Sequence, residues 1–166
     1  EHADRSLDIA YYIWHDDVSG KMLFQMLQRA AQRGVRVRLL LDDNNTRGMD
    51  DVLAALDAED NIEIRLFNPF PHRKVRALGY LTDFPRLNRM HNKSFTADNR
   101  ATILGGRNIG DEYFNVTTDI GFADLDVLAK GEVAEDVSRD FDRYWASGSS
   151  YPFFSIAPRA DAEKGR

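Results

Sequence analysis

The apolar positions switch between two periods along the chain, and the switches mark out the elements. Leu7 to Trp14 (LDIAYYIW) is rich in β-branched and aromatic residues and apolar enough for a strand buried on both faces. Asp16, Asp17 and Ser19 then offer N-cap oxygens. Leu23, Met26, Leu27, Ala30 and Ala31 recur at helical spacing until Gly34 ends the helix. Val35 to Leu41 predicts a second strand, with Val35 and Val37 inward and Arg36 and Arg38 outward. Asp50 to Ala58 reads as a short helix and Ile62 to Phe67 as a third strand. A βαβαβ order of this kind predicts an α/β fold, a mostly parallel mixed sheet flanked by helices on both faces.

The rhythm breaks between Pro69 and Met90, where three prolines, several arginines and interleaved aromatics stand together. His91 to Ala97 and Ala101 to Leu104 then flank Asp98-Asn99-Arg100, which predicts a hairpin. Phe122 to Ala129 is a further strand candidate, closed by Gly131. Glu132 to Ala146 reads as a helix with Val133, Val137, Phe141 and Tyr144 or Trp145 along its apolar stripe. From Ser147 onward Gly, Ser and Pro dominate. The expected organisation is a single domain over residues 1–146 and a linker or tail over 147–166.

Composition narrows the function classes. With 166 residues, 43% of them apolar and 30% charged, the chain can bury one real core. A net charge of -5 excludes a uniformly basic nucleic-acid coat, and the absence of cysteine excludes disulfide scaffolds and thiolate metal sites. No apolar run approaches the roughly 20 residues that a membrane helix needs. A chain that opens Glu-His-Ala-Asp-Arg-Ser, without a starting Met, is expected to be a piece of something longer.

One constellation carries chemistry. Read from His91 it runs His91-Asn92-Lys93, four residues, Asp98, six residues, Gly105-Gly106, then Arg107 and Asn108. Strand alternation puts His91 and Lys93 on one face and Asn92 and Ser94 on the other. An imidazole and an ammonium aimed into one space suit a phosphodiester. The imidazole can attack phosphorus while the ammonium neutralises the non-bridging oxygens as charge develops. Two glycines at the end of the next strand let backbone approach a ligand closely, and the Asn108 amide can donate to a phosphate oxygen. By the same parity Asp98 faces away from the phosphate and is expected to brace the hairpin. Each feature alone reads as structural: His-x-Lys is a weak signal, and Asp-Asn-Arg is an adequate plain turn. Six specified residues at about 5% each arise by chance on the order of once in 10^8 starting positions, which favours the joint reading.

HNKSFTAD followed by ILGGRNIGDEYF resembles the HxKxxxxD motif and GGxN extension of the phospholipase D superfamily, with no departure at His91, Lys93, Asp98, Gly105 or Asn108. YYIWHDD, LLLDDNNT, YLTDFPRLNRMHNKSFT and FADLDVLAKG extend the similarity toward bacterial cardiolipin synthases of the C type. The resemblance covers nearly the whole chain. It implies a phospholipase D-like half-domain and a two-step reaction through a phosphohistidine. His91 is then nucleophile or acid/base partner, Lys93 and Asn108 hold the phosphate beside Gly105 and Gly106, and Asp98 is the structural carboxylate. Asp124 matches the carboxylate that orients the imidazole, with Asp119 and Asp126 close by in sequence. An orienting carboxylate is needed physically, because it fixes the tautomer and stabilises imidazolium. The implied reaction needs no cofactor and no metal.

Relatives of this kind build one active site from two such motifs, and this chain has one. His2, His15 and His72 head no second copy. Either two chains pair, or a second half lies elsewhere in a longer polypeptide. The opening, the tail and the similarity favour the second, so the chain is expected to be an N-terminal half, inactive as an isolated monomer. The implied substrate is an anionic, phosphatidylglycerol-like phospholipid. The implied location is a membrane surface in a bacterium, with any anchor outside these residues. If water replaces the alcohol acceptor, the same site is a phospholipase.

Charge is strongly segregated. From His72 to Lys93, six cations (Arg73, Lys74, Arg76, Arg86, Arg89 and Lys93) face only Asp83, a net of +5 that leaves -10 for the remainder. Tyr80, Leu81, Phe84 and Leu87 lie among them, a composition suited to anionic headgroups at an interface. The plain alternative is a solvated loop paired with acids elsewhere. Asp42-Asp43-Asn44-Asn45 ends the second strand, where a magnesium site is conceivable, but no phosphate-cradling loop precedes it and capping or a turn is the better reading. Tyr11, Tyr12 and Trp14 read as core, and His15 as a hydrogen-bonding surface residue. Two rivals stand beside the lipid enzyme. A homodimeric single-motif phosphodiesterase acting on nucleic acid is disfavoured by the -10 outside the basic segment. A phospholipid-binding module without turnover would leave function intact in His91→Ala.

Overall fold

In the computed structural model, residues 3–70, 88–116 and 121–166 are described. The basic segment read from the sequence therefore falls, over residues 71–87, outside the described residues, as does Asp119.

β1 (Ser6–Tyr11), α1 (Val18–Gln32), β2 (Arg36–Asp42), α2 (Asp50–Asp57) and β3 (Ile62–Phe67) follow the expected order. β1 is buried at all six positions, as a strand covered on both faces must be. Asp17 caps α1, its carboxylate accepting from Gly20 N at 2.9 Å. β4 (Lys93–Ala97) and β5 (Ala101–Gly105) form the predicted hairpin, with Asp98 and Asn99 both at positive φ in the turn. β6 (Asp126–Lys130) and α3 (Glu132–Trp145) complete this half.

The sheet has seven strands in the order β6-β5-β4-β1-β2-β3-β7. It is mixed and α/β, with helices on both faces, but its parallel part is confined to β1, β2 and β3. The other four pairings are antiparallel, because β4 enters the sheet beside β1 running the other way and β5 and β6 meander outward from it. On one face Leu7, Ile9, Val37, Leu39 and Ile64 pack under Phe24 and Leu27 of α1 and Leu53 of α2. On the other, Ala10 and Leu40 meet Met90 and α3 through Phe141 and Trp145.

Three local expectations change. Arg38, expected to point to solvent, lies under α3. Its guanidinium bonds buried Asp8 at 2.7 Å and Asp142 at 2.8 Å and lies over the Phe141 ring at 4.8 Å, which compensates its burial. The buried stripe of α3 keeps the predicted Phe141 and Trp145, but its first turns bury Ala134 and Ser138 in place of Val133 and Val137, and Val133 is exposed. Residues 147–166, expected to trail away as a linker, instead add β7 (Ser150–Pro152) antiparallel to β3 and the short α4 (Phe153–Ile156). Phe153 is buried in the core, and Asp161 N and Lys164 Nζ bond Asp51 of α2 at 3.0 Å each. A strand of three residues leaves no periodicity to read.

Candidate active site

β4 inherits its facing from β1. Lys93, Phe95 and Ala97 stand opposite Tyr11, Ile9 and Leu7 and so look toward α1, whereas Ser94 stands opposite Ala10 and looks toward α3. Lys93 is the first residue of β4 and is buried, and His91 lies just before the strand and is exposed. The Lys93 ammonium reaches back to the imidazole, 3.2 Å from Nδ1 and 3.4 Å from Nε2, and donates to the His91 carbonyl at 3.0 Å. Burial lowers the Lys93 pKa from its ordinary value, and the Asp124 carboxylate pulls against that shift.

The approach to His91 is fixed by the acids that end β2. Buried Asp42 accepts from Met90 N at 2.9 Å, Arg89 Nη1 at 3.2 Å and Asn44 N at 2.9 Å. Burial raises its pKa above the usual carboxylate value despite those donors. Asp43 accepts from Phe70 N at 2.9 Å and Thr46 Oγ1 at 2.6 Å. The acidic run is thus a clamp of caps and turns, and its Asp42 member sets the backbone immediately ahead of the motif.

Asp98 braces the start of β1. Its carboxylate accepts from Arg5 N at 2.8 Å, Ser6 N at 2.9 Å and Asp4 N at 3.0 Å. Partial burial would raise its pKa, but the backbone donors at Asp4, Ser6 and Arg5 outweigh that and hold it below the ordinary value. It stands at the hairpin turn, at the opposite end of β4 from Lys93.

Gly105 and Gly106 are required by close approach. A Cβ on Gly105 would run into Asp126 and the Leu125 carbonyl, and one on Gly106 into the Asp124 carboxylate. Asn108 is buried. Its Oδ1 accepts from Ile13 N at 3.2 Å, and its Nδ2 donates to Tyr113 Oη at 3.0 Å, so one of its two N–H groups orients the amide and the other has no acceptor among the described residues. Asp126 is engaged elsewhere, bonding Arg107 Nε at 2.7 Å. Asp124 is exposed, caps Leu125 N at 2.9 Å, and is the acid whose charge acts on Lys93. Among the described residues no carboxylate hydrogen-bonds the His91 ring.

Tyr12, read from the sequence as core, belongs to this site. Its ring lies 4.8 Å from the His91 ring, centroid to centroid, and 5.5 Å from Lys93 Nζ. An aromatic at the carboxyl end of the strand beside the motif was the available signal. His15 pairs with Glu112 at 3.1 Å. With Asp17 it forms a group of three potential ligands within 4.8 Å. Asp17, however, spends its oxygens on Gly20 N and Asp111 N, so the group closes the loop after Asn108 onto the start of α1.

A seven-stranded sheet with the His91–Lys93 pair at the start of β4 and two crowded glycines at the end of β5 fits a phospholipase D-like domain. The chain belongs to the family described as cardiolipin synthase, phospholipase D-like domain, whose model matches residues 1–145. It is 57% identical over 164 residues to cardiolipin synthase C of Escherichia coli (strain K12), covering 98% of this chain and 35% of that protein. It is 42% identical over 153 residues to an uncharacterized protein of Helicobacter pylori, covering 90% of this chain and 30% of that one. The chain thus spans about a third of these relatives' length. Phosphatidylserine synthase of Haemophilus influenzae superposes with a TM-score of 0.69 at 16% identity, over 99% of this chain and 37% of that one. The phospholipase D family member Nuc of Salmonella typhimurium superposes at 0.60 and 17% identity, over 91% and 83%. Both share the fold.

Proposed function

We propose that this chain is one half of a bipartite site that transfers a phosphatidyl group between alcohols through a phosphohistidine, as a cardiolipin synthase would. The observation that carries the reading is the Lys93 ammonium set against the His91 imidazole at the start of β4. A histidine attacks phosphorus, the phosphorus–oxygen bond to the first alcohol breaks, and that alkoxide takes a proton from the second histidine, which the other half supplies. The entering alcohol returns a proton to that second histidine as its oxygen bonds phosphorus and the nitrogen–phosphorus bond breaks. His91 serves as one of the two. Lys93 and Asn108 balance the charge on the non-bridging oxygens, where fixed donors are worth most, and Asp124 sustains the cationic state of Lys93.

The substrate we assign is an anionic phosphatidylglycerol-like lipid, met at a bacterial membrane surface. Among the described residues no helix is long and apolar enough to cross a membrane, so this half would meet the lipid from the side. The test is phosphatidyl transfer on anionic vesicles by the full-length protein. His91→Ala should lower it at least about a thousandfold, the scale expected for losing a nucleophile or general acid, and unchanged transfer would overturn the reading. The isolated 166-residue chain should be inactive as a monomer. Robust turnover by a strictly monomeric preparation would overturn the half-site assignment alone.

A further inference from the structure

α1 and α2 cover one face of the sheet over β1, β2 and β3, but on that face the wing made by β4, β5 and β6 shows its side chains to solvent. Register decides which side chains these are. Phe95 of β4 stands opposite Ile103 of β5, which stands opposite Leu128 of β6, and all three look toward the α1 side. Thr102, next to Ile103, looks the other way, toward α3. Thr102 is 1% exposed, whereas Ile103 is 45% and Leu128 62% exposed. A strand with one face in water would normally bury its isoleucine and show its threonine, so the α1 side of the wing calls for a further covering layer.

Between α1 and this wing lies a groove of about 700 Å³, made apolar by Leu7, Leu23, Leu27, Phe95, Ile103 and Leu128. Among the described residues three arginines, Arg29, Arg33 and Arg100, line it against one acid, Asp98. The Asp98 carboxylate is already taken by the N–H groups of Asp4, Arg5 and Ser6, so the groove suits an apolar partner flanked by acids. Three strands are about 10 Å across and a helix is about 10 Å thick, which leaves room for one helix beside α1. The chain spans about a third of its relatives' length. Ala3 lines this groove, whereas Gly165 and Arg166 lie across α1 from it, in the cleft between α1 and α2. Polypeptide leading into Ala3 is therefore the part of a longer chain best placed to fill the groove.

We propose that the segment preceding Glu1 in the full-length protein packs in this groove as an amphipathic helix, apolar toward Ile103 and Leu128 and acidic where it passes Arg29 and Arg100. It completes the helix layer on this face and braces the β4–β5 hairpin, which carries Lys93 and Gly105. The groove lies toward the Asp98 end of β4, away from His91, so the proposal goes beyond the catalytic reading and does not rest on it.

The experiment replaces Leu128 of the full-length protein with a photo-crosslinking diazirine amino acid, irradiates the protein on phosphatidylglycerol vesicles and maps the adduct by peptide mass spectrometry. The expected adduct lies in the segment ahead of Glu1. An adduct to lipid, to a second copy, to any other part of the chain or to water alone overturns the proposal. Leu128→Cys is a gentler change and reads the same face through maleimide labelling of the peptide that holds residue 128. The native protein should react at least about a hundredfold more slowly than the urea-unfolded protein, because the covering helix must first open. A native rate within about tenfold of the unfolded one means an uncovered groove and overturns the proposal.

Discussion

The Tyr12 ring lies across the His91 imidazole at 4.8 Å, inclined by 47°, and so ties the end of β1 to the residue that opens the motif. The same ring is 5.5 Å from the Lys93 ammonium. One aromatic face thus limits where both groups can go, and its negative potential favours positive charge on either.

Tyr12→Phe keeps the ring and should retain transfer activity within about threefold. Tyr12→Leu keeps bulk without the ring and should lose about tenfold, since an aromatic–cation contact contributes about 1–2 kcal/mol when partly desolvated. Equal losses in the two variants, with unchanged thermal unfolding, would show that the hydroxyl or simple packing matters and the ring does not.

Asp42 should prove structural and severe. Asp42→Ala strands the buried Arg89 guanidinium and frees Met90 N, so stability should fall by about 3 kcal/mol. That corresponds to roughly 6–12 °C in Tm for a chain of this size. If calorimetry returned a Tm within a degree or two of the parent, the clamp ahead of His91 would carry little of the fold.

Asp98 makes a pH-dependent contribution whose sign is fixed. Its folded pKa lies below the unfolded value of about 3.9, so its stabilisation is full above that value and is lost as pH falls through the lower, folded value. Asp98→Asn should cost about 1 kcal/mol at pH 7, by analogy with lost helix caps, and less at pH 3. Denaturant unfolding at both pH values checks this, and an equal difference at the two would contradict it.

Asp124 should be visible in the alkaline limb of the activity profile. Burial already lowers the Lys93 pKa, and Asp124 opposes that. Asp124→Asn removes the opposition, so Lys93 loses its proton at lower pH and the alkaline limb of transfer should move down. A limb that stays in place would mean that another acid supports Lys93.

These residues also mark how far the sequence reaches. The β1 strand, the α1 cap at Asp17 and the β4–β5 hairpin are all set by local period and turn chemistry, and each forms as the pattern predicts, although β1 ends at Tyr11, three residues before the predicted Trp14. The parity of Lys93 against Ser94 holds in the register with β1, but β4 begins two residues later than the pattern predicts, so His91 stands before the strand and its position does not follow from strand alternation. Arg38 was misread because its partners, Asp8 and Asp142, lie 30 and 104 positions away and no local pattern announces a buried ion pair. Tyr12 was misread for a related reason. An aromatic following a buried strand looks like core until the antiparallel entry of β4 brings His91 beside it.

The central claim is that a histidine in this site carries the phosphatidyl group and that His91 is required for it. The direct measurement mixes the full-length protein with phosphorus-labelled anionic lipid, quenches in alkali, and maps the label. The account predicts label on histidine, stable to base and lost in acid, and at least a hundredfold slower to form in His91→Ala. Label that forms at the parental rate in that variant, or that survives acid as a phosphoester would, contradicts it.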